Sequence, residues 1–388
     1  MGTEVRILMV GDEFPPDIGG VSTYTWSLCR ALSKMGVDVT LALPGRLRET
    51  EFVPDGVDVR FLDGFTIPIV KRMFSARIAK GLRDLIRYGG FEVVHGQDIH
   101  SSMALFSIWY ARRRRIPSAI TSHTVEGSIR RWRPLYRLMM RTVRKATVVI
   151  GVSERAAEMC VRLGVPRWKV RVAPNGVDVN LFRPKNEEER RRIRARYGLG
   201  GKLVFSAIRL NKRKGPFVLI EAFADVLKSV PDATLAIAGT GQELPNLRKR
   251  AEELGVGSRV IFLGPRTNYE IAELMASADV FVLPSFFEAF AIVLLEAMAS
   301  GTPVVATRTE GASALVRNGV NGLVVAKGEP RELAGAIVKV LTDEELASRL
   351  REEGTKTVER YTWERAARRV LEIYEEAALI GRQSRSVC

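Results

Sequence analysis

The chain is expected to fold as two α/β domains, each a parallel sheet of doubly wound type. Short runs such as Val280 to Leu283 and Val304 to Thr307 are apolar almost throughout, the mark of strands buried on both faces. Helix-length stretches separate such runs along the chain, and strands alternating with helices build parallel sheets. At 388 residues, the chain exceeds what one core organises.

In order, strands are expected at Val5 to Val10, Val37 to Ala42, Val57 to Leu62, Val93 to His95, Ser118 to Ser122 and Thr147 to Val152. Helices are expected at Thr23 to Met35, Met73 to Tyr88, Met103 to Arg113, Leu135 to Lys145 and Glu154 to Leu163. The stretch APNGVDVNLFRP, Ala173 to Pro184, carries Pro and Asn-Gly breakers and reads as a linker. Beyond it, a charged helix (Glu187 to Tyr197) precedes a second alternating half. Its strands begin at Leu203, Thr234, Val260, Val280, Pro303 and Gly322, with helices at Pro216 to Ser229, Glu332 to Leu341 and Trp363 to Leu379. Ligands of such sheets bind at the carboxyl ends of the strands.

The most informative stretch is Asp279 to Thr307, DVFVLPSFFEAFAIVLLEAMASGTPVVAT. A strand ends at Pro284, and a helix is expected from Glu288 to Ser300, stopped by Gly301 and Pro303. Glu288 at its entrance and Glu296 eight residues on would then stand about 12 Å apart along the axis. The Phe290 and Ala291 amides would lie in a first turn that favours an anion. Either acid alone suits an ordinary exposed position. This helix, however, is apolar nearly all round, hence buried, and a buried carboxylate needs a partner.

At these residues the chain resembles the retaining glycosyltransferases of family 4, which have the GT-B fold. The family pattern P-S-x-x-E-G-F-G-x-x-x-x-E-A-M-A stands here as P-S-F-F-E-A-F-A-I-V-L-L-E-A-M-A, with Ala289 and Ala291 in place of both glycines. SAIRLNKRKG is similar to G-R-L-x-x-x-K-G at Arg209 and Lys214, with Ile208 replacing the Gly. Read without the family, NKRKG is also an ordinary solvated basic turn, although two cations at a strand-to-helix loop suit a pyrophosphate. Gly19 and Gly20, in a loop with Pro15 and Pro16, are similar to the family's first loop, and PNGVD to its connector. TRTEGASALV resembles a loop ending G-G-x-x-E, with Ala314 where the Glu falls and Glu310 nearby.

The resemblance spans essentially the whole chain. It implies an acceptor-binding domain over 1–182, with a last helix at 362–388 packing back on it, and a donor-binding domain over 183–361. It further implies that Glu296 holds the ribose, Arg209 and Lys214 the pyrophosphate, and Glu288 with the Phe290 and Ala291 amides the sugar. His123, just past a strand end and otherwise a structural histidine, would contact the donor sugar near the reacting carbon. The donor is a UDP- or GDP-sugar, with no further cofactor and no metal expected.

Net charge is +16. Residues 1–182 hold 28 Lys and Arg against 17 Asp and Glu, a surplus of 11 that leaves 5 for the rest. Such a field attracts anionic surfaces. Between Gly64 and Gly90, Lys71, Arg72, Arg77, Lys80, Arg83 and Arg87 flank the apolar positions Met73, Ile78, Leu82, Leu85 and Ile86. Arg130 to Lys145 is a second basic stretch with Trp132 and Tyr136. Basic amphipathic helices of this kind lie in anionic membrane interfaces; the same faces also suit ordinary packing on a sheet. Three cysteines make no disulfide framework, and no leader or membrane-spanning run is read, so a cytoplasmic protein is expected, peripheral on the membrane. Abundant Arg and Glu with scarce Asn and Gln lean towards a thermophilic source.

No Asp-x-Asp, no zinc spacing and no G-x-x-x-x-G-K-[ST] occurs. The expectation is a transferase moving a sugar, with retention, from a nucleotide-diphosphate donor to a lipid-linked or soluble acceptor. Its rivals are an epimerase of the same fold and a polyanion-binding protein. Nucleic acid is not expected as a partner, because the chain lacks the aromatic and basic interleaving that stacked bases need.

Overall fold

The computed structural model describes residues 5–15, 19–48, 53–64, 66–67, 73–123 and 139–386. The chain divides into two compact units, Met1–Asn175 with Trp363–Cys388, and Gly176–Thr362.

The first unit carries β1 (Arg6–Val10), β2 (Asp38–Pro44), β3 (Val57–Leu62), the short β4 (Thr66–Ile67) and β5 (Met73–Phe74), then β6 (Val93–Gln97), β7 (Ser118–Ser122), β8 (Val148–Gly151) and β9 (Val170–Val172). Seven of these form a parallel sheet in the order β3-β2-β1-β6-β7-β8-β9, while β4 and β5 pair antiparallel beside it. The chain winds outward from β1 in one direction, returns to β6 and winds outward in the other. The order therefore reverses between β1 and β6, where a doubly wound sheet opens a crevice at its carboxyl edge.

Serine caps set where the helices of this unit start. Ser75, Ser101 and Ser153 accept from the amides of Ile78, Ala104 and Ala156, opening the helices Ala76–Tyr88, Ser102–Arg113 and Glu154–Arg162. The helix expected from Met73 thus begins three residues later, because Met73 and Phe74 pair as β5. Its apolar face, Ile78, Leu82 and Ile86, is packed into a core with Leu8, Val10 and Val94. That face is closed to a bilayer, which corrects one of the two readings of this helix; Arg77, Lys80, Arg83, Arg87 and Tyr88 stay outward. Lys71, Arg72, Arg130, Trp132 and Tyr136 lie outside the described residues.

The final helix, Trp363–Ser386, belongs to this first unit. Tyr374, 2% exposed, places its hydroxyl 2.6 Å from Nδ1 of His95 on β6, and Nε2 of the same ring lies 2.7 Å from Thr121 Oγ1 on β7. Burial holds His95 down to about 3, so the ring is neutral and the three groups form a fully buried polar pin.

The second unit carries β10 (Leu203–Ala207), β11 (Thr234–Ala238), β12 (Val260–Gly264), β13 (Val280–Leu283), β14 (Val304–Thr307) and β15 (Leu323–Val325). They form a parallel sheet in the order β12-β11-β10-β13-β14-β15, reversing between β10 and β13. Asp279 organises the amino edge. It pairs with Arg190 at 3.2 Å and Arg194 at 2.9 Å on the Glu187–Arg196 helix, and accepts from the Leu203 amide at 2.6 Å. Four helices stand in stretches the sequence leaves unassigned: Leu244–Glu253, Asn268–Ser277, Glu310–Leu315 and Glu344–Val358.

Candidate active site

The reversal point of the second sheet gathers the residues singled out by the motifs. The loop after β10 carries Arg209 and Lys214, and the loop after β13 carries Ser285 and Glu288. Arg308 and Lys327 follow β14 and β15, so three of the four adjacent strands β10, β13, β14 and β15 end in cations and β13 ends in an acid. Arg308 lies in TRTEGASALV without being singled out there, and Lys327 lies in no motif; only strand order shows that they share this edge.

Lys214 closes a single 3-10 turn, Lys212–Lys214, whose last amide donates to the Asn211 side chain at 3.2 Å. Gly215 then takes φ 67, and a Cβ on it would stand 2.1 Å from the Pro284 carbonyl oxygen. The β10 loop is thereby pressed under the end of β13. The Phe286 amide donates to the Arg213 carbonyl across the same seam, at 2.9 Å. This packing brings Lys214 Nζ to 2.7 Å from Glu288 Oε1, and Ser285 Oγ donates to the same oxygen at 2.7 Å. With 28% and 11% of their side chains exposed, the pair is neither a surface ornament nor sealed from a ligand. Ser285 joins this cluster, where the sequence alone suggests only a turn; its signal is a serine just after a strand and three residues before an acid.

Arg209 is exposed two residues beyond β10. Its neighbours are fixed to the continuation of β11, Ile208 through the Ala238 carbonyl and Leu210 through Thr240, at 3.0 and 2.9 Å. Gly239 and Gly241 make this approach possible, since a Cβ on either would stand 2.0 Å from the Ile208 oxygen or 2.2 Å from the Leu210 oxygen. Gly-Thr-Gly after a strand was the overlooked signal. Gly241→Ala is expected to push Leu210 and Arg209 aside, costing about 1–3 kcal/mol of stability and weakening nucleotide binding. Thermal unfolding and nucleotide titration check it; a variant unchanged in both would detach this loop from the site.

The helix expected to start at Glu288 starts at Ile292, with Ala291 as its N-cap. Glu288 sits in the preceding loop, so the expected 12 Å spacing along one helix does not describe the two acids. The loop is held by the Gly311 amide, which donates to the Glu288 carbonyl at 2.8 Å. A Cβ on Gly311 would stand 2.9 Å from the Phe290 nitrogen and 3.0 Å from that of Ala291, so only glycine leaves these two amides uncovered. Neither Ala289 nor Ala291 adopts positive φ, hence the methyls that replace the family's glycines strain no backbone here.

Glu296 lies half-buried on the Ile292–Ala299 helix, otherwise apolar from end to end. Among the described residues its carboxyl has no hydrogen-bond or ion-pair partner, and desolvation pushes it up to about 7. Ala314, where the family pattern has an acid, is exposed on the Glu310–Leu315 helix. Glu310 sits at that helix's start, 3.8 Å from Lys327.

In the first unit, Gly19 caps the Gly20–Lys34 helix in the loop after β1, and a Cβ on Gly20 would meet nothing within 4 Å. His123 follows β7, with its ring edge-on to Tyr24 at 4.7 Å between centroids. Burial presses it down to about 4, opposed by the Asp98 charge. A neutral ring of this kind offers hydrogen bonds and not a positive charge.

Two doubly wound sheets with a ligand edge of this kind define the GT-B class. A solved structure of Anabaena Alr3699/HepE in complex with UDP-glucose superposes with a TM-score of 0.82 over 96% of this chain and 99% of that one, at 22% identity. The sucrose-phosphate synthase of Thermosynechococcus elongatus superposes with a TM-score of 0.80 over 96% and 98%, at 23% identity. Residues 18–181 match the model described as Glycosyltransferase Family 4, and residues 188–357 that of Glycosyl transferases group 1. A D-inositol 3-phosphate glycosyltransferase of Frankia alni is 30% identical over 392 residues, 93% of this chain and 95% of its own length. An uncharacterized glycosyltransferase of Methanocaldococcus jannaschii is 30% identical over 97% of this chain and the whole of its own. The chain belongs to glycosyltransferase family 4.

Proposed function

We propose that this glycosyltransferase moves a sugar from a nucleotide-diphosphate donor to a hydroxyl acceptor with retention, the second unit holding the donor and the first the acceptor. The observation that carries the reading is the Lys214–Glu288–Ser285 cluster at the reversal point of the second sheet, with Arg209 on the same loop as Lys214. Arg209 and Lys214 neutralise the pyrophosphate as it departs, which lowers the barrier without a protein nucleophile. Glu288 and the Phe290 and Ala291 amides hold the sugar hydroxyls. Glu296 accepts from the ribose hydroxyls, a role that suits a carboxyl lacking any other partner. His123 lies by the reacting carbon, and Gly19 and Gly20 border donor and acceptor. The relatives named for D-inositol 3-phosphate support a phosphorylated or polyol acceptor, and the UDP complexes of structural neighbours support a UDP-sugar donor.

The test is a panel of UDP- and GDP-sugars, read by thermal stabilisation, nucleotide release and the anomeric configuration of the product. Inversion would remove retention; release of no nucleotide with any donor would remove transfer itself.

Membrane docking of the first unit is the finer part of this proposal, and it places a cytoplasmic enzyme on an anionic lipid surface bearing a lipid-linked acceptor. It rests on the outward Arg77, Lys80, Arg83 and Arg87 of the Ala76–Tyr88 helix, and no longer on that helix's apolar face. No described helix is long and apolar enough to cross a membrane. Each basic side chain near an anionic surface contributes about 1 kcal/mol. The protein is expected to sediment with anionic vesicles at low salt and to be released by high salt. Reversing Arg77, Lys80 and Arg87 to Glu should abolish that binding while leaving nucleotide affinity intact; vesicle binding that survives the reversal rules out this surface.

A further inference from the structure

We infer that β3, the outer strand of the first sheet, docks a second copy of this chain. The two β3 strands would pair antiparallel about Val59. The sheet ends at β3 in the order β3-β2-β1-β6-β7-β8-β9, and no described strand pairs with its outer side. Such an edge presents a row of backbone donors and acceptors to any chain that can match it. Of the four strands that end the two large sheets, β3 is the longest at six residues. β9 and β15 have three each, and β12 lies beside a register shift on β11. β3 contains neither proline nor glycine and runs against β2 without a bulge.

Alternation along β3 separates two faces. Asp58, Arg60 and Leu62 share the face of Val10 and Ala42, over which the Ala76–Tyr88 helix packs. Val57, Val59 and Phe61 point to the other. The Asp58 and Arg60 side chains are 45% and 60% exposed, and they pair with each other at 2.9 Å. A groove lined by Val59, Arg60, Leu85 and Tyr88 runs beside them, so the edge stands open.

The charges choose the occupant. Residues directly opposite in an antiparallel pair lie on one face, so a two-fold pairing centres on a residue and never between two. Centred on Asp58 or on Arg60, it would set that charge against its own copy, which destabilises. Centred on Val59, it sets Asp58 against the partner's Arg60 and Arg60 against the partner's Asp58. Four charges then alternate in sign around a square. On the other face Val57 meets the partner's Phe61, and Val59 meets the partner's Val59, pairs of the β-branched and aromatic kind that stabilise sheets. Charges on an edge strand ordinarily deter pairing. Opposite charges two residues apart suit a strand that carries the same pattern in reverse. The two-fold axis stands perpendicular to the joined sheet, so both Ala76–Tyr88 helices come to one face. The dimer thereby doubles the row of Arg77, Lys80, Arg83 and Arg87, although the pairing does not depend on membrane docking.

A single edge is a small interface, so the dimer should be weak, dissociating in the micromolar range. Analytical ultracentrifugation of the full-length protein across that range should show a reversible monomer–dimer equilibrium. Asp58→Arg and Arg60→Asp each set like charges opposite one another at two places, and each should weaken the dimer about tenfold or more. Combining the two substitutions restores every opposite pair, and that double variant should dimerise as wild type does. Amide hydrogen exchange over residues 57–61 should slow as concentration rises in wild type and in the double variant, and not in the singles. UDP binding should be unchanged throughout, since neither residue belongs to the proposed donor site. A protein that stays monomeric at every concentration overturns the inference. So does a dimer indifferent to both single variants, or one that the double variant fails to regain.

Discussion

Lys214→Ala is expected to lower turnover about a hundredfold or more while changing donor affinity far less. The ammonium stands at the reversal point of the second sheet, where the diphosphate is proposed to leave, and the charge it faces grows as the glycosidic bond breaks. An interaction that strengthens along that path acts on turnover rather than on binding. Lys214 also neutralises Glu288 at 2.7 Å, so its loss leaves that acid with Ser285 alone. The effects of Lys214→Ala and Glu288→Gln should therefore be non-additive, the double variant being less impaired than the product of the two singles. Steady-state kinetics of the four proteins decide this. Strictly multiplicative losses would mean that the pair does not act as a unit, and wild-type turnover in Lys214→Ala would place the leaving group elsewhere.

Glu296→Gln should move stability and binding in opposite directions. Burial raises this carboxyl to about 7 from an ordinary 4.5. A carboxyl whose folded pKa lies above its unfolded value destabilises the fold as pH climbs from the unfolded value, and the full cost is reached above the folded one. At about 1.4 kcal/mol per pKa unit, that cost is about 3 kcal/mol at most. The variant should hence unfold at a higher temperature than wild type at pH 8, with little difference at pH 4. Nucleotide binding should behave oppositely. A ribose diol donates to the carboxylate, a charged hydrogen bond worth about 1.5–3 kcal/mol, so UDP-glucose affinity should fall roughly 10- to 100-fold in the variant. In wild type, affinity should also weaken as pH drops through 7, and the variant should lack that slope. Calorimetric titration and thermal unfolding across pH give both readings. A variant that is no more stable at pH 8 contradicts the desolvated state of the acid, and one that binds UDP-glucose normally contradicts its role.

This pairing of cost and use is the physical sense of an unpartnered acid on an apolar helix. Structural carboxylates acquire cations, as Asp279 does with Arg190 and Arg194. Glu296 has none, and the fold tolerates it at a cost that a bound ligand would remove. Gly311 makes the same point through shape, because any side chain there would cover the Phe290 and Ala291 amides.

What the sequence determined by itself was local and periodic. Apolar runs of four to six residues located most strands to within a residue or two, because strands buried on both faces admit few polar residues. Arg209, Lys214, Glu288 and Glu296 were legible because their spacing is unusual, and because the apolar run around Glu296 forces the question of its partner. The start of the Ile292–Ala299 helix was misjudged for a physical reason. Residues 288–291 have acceptable helical propensity, but the hydrogen bond from Gly311, about twenty residues further on, holds them in a loop. The Ala76–Tyr88 helix shows a similar limit: its hydrophobic period read equally as a membrane face or a core face, and packing against Leu8, Val10 and Val94 decided for the core. Only the tertiary structure could reveal that Arg308 and Lys327 share an edge with Lys214, that Gly239 and Gly241 clamp the chain around Arg209, and that Asp98 turns at positive φ. Each depends on strand order or on contacts between distant segments, and neither propensity nor spacing along a chain encodes which strand ends become neighbours.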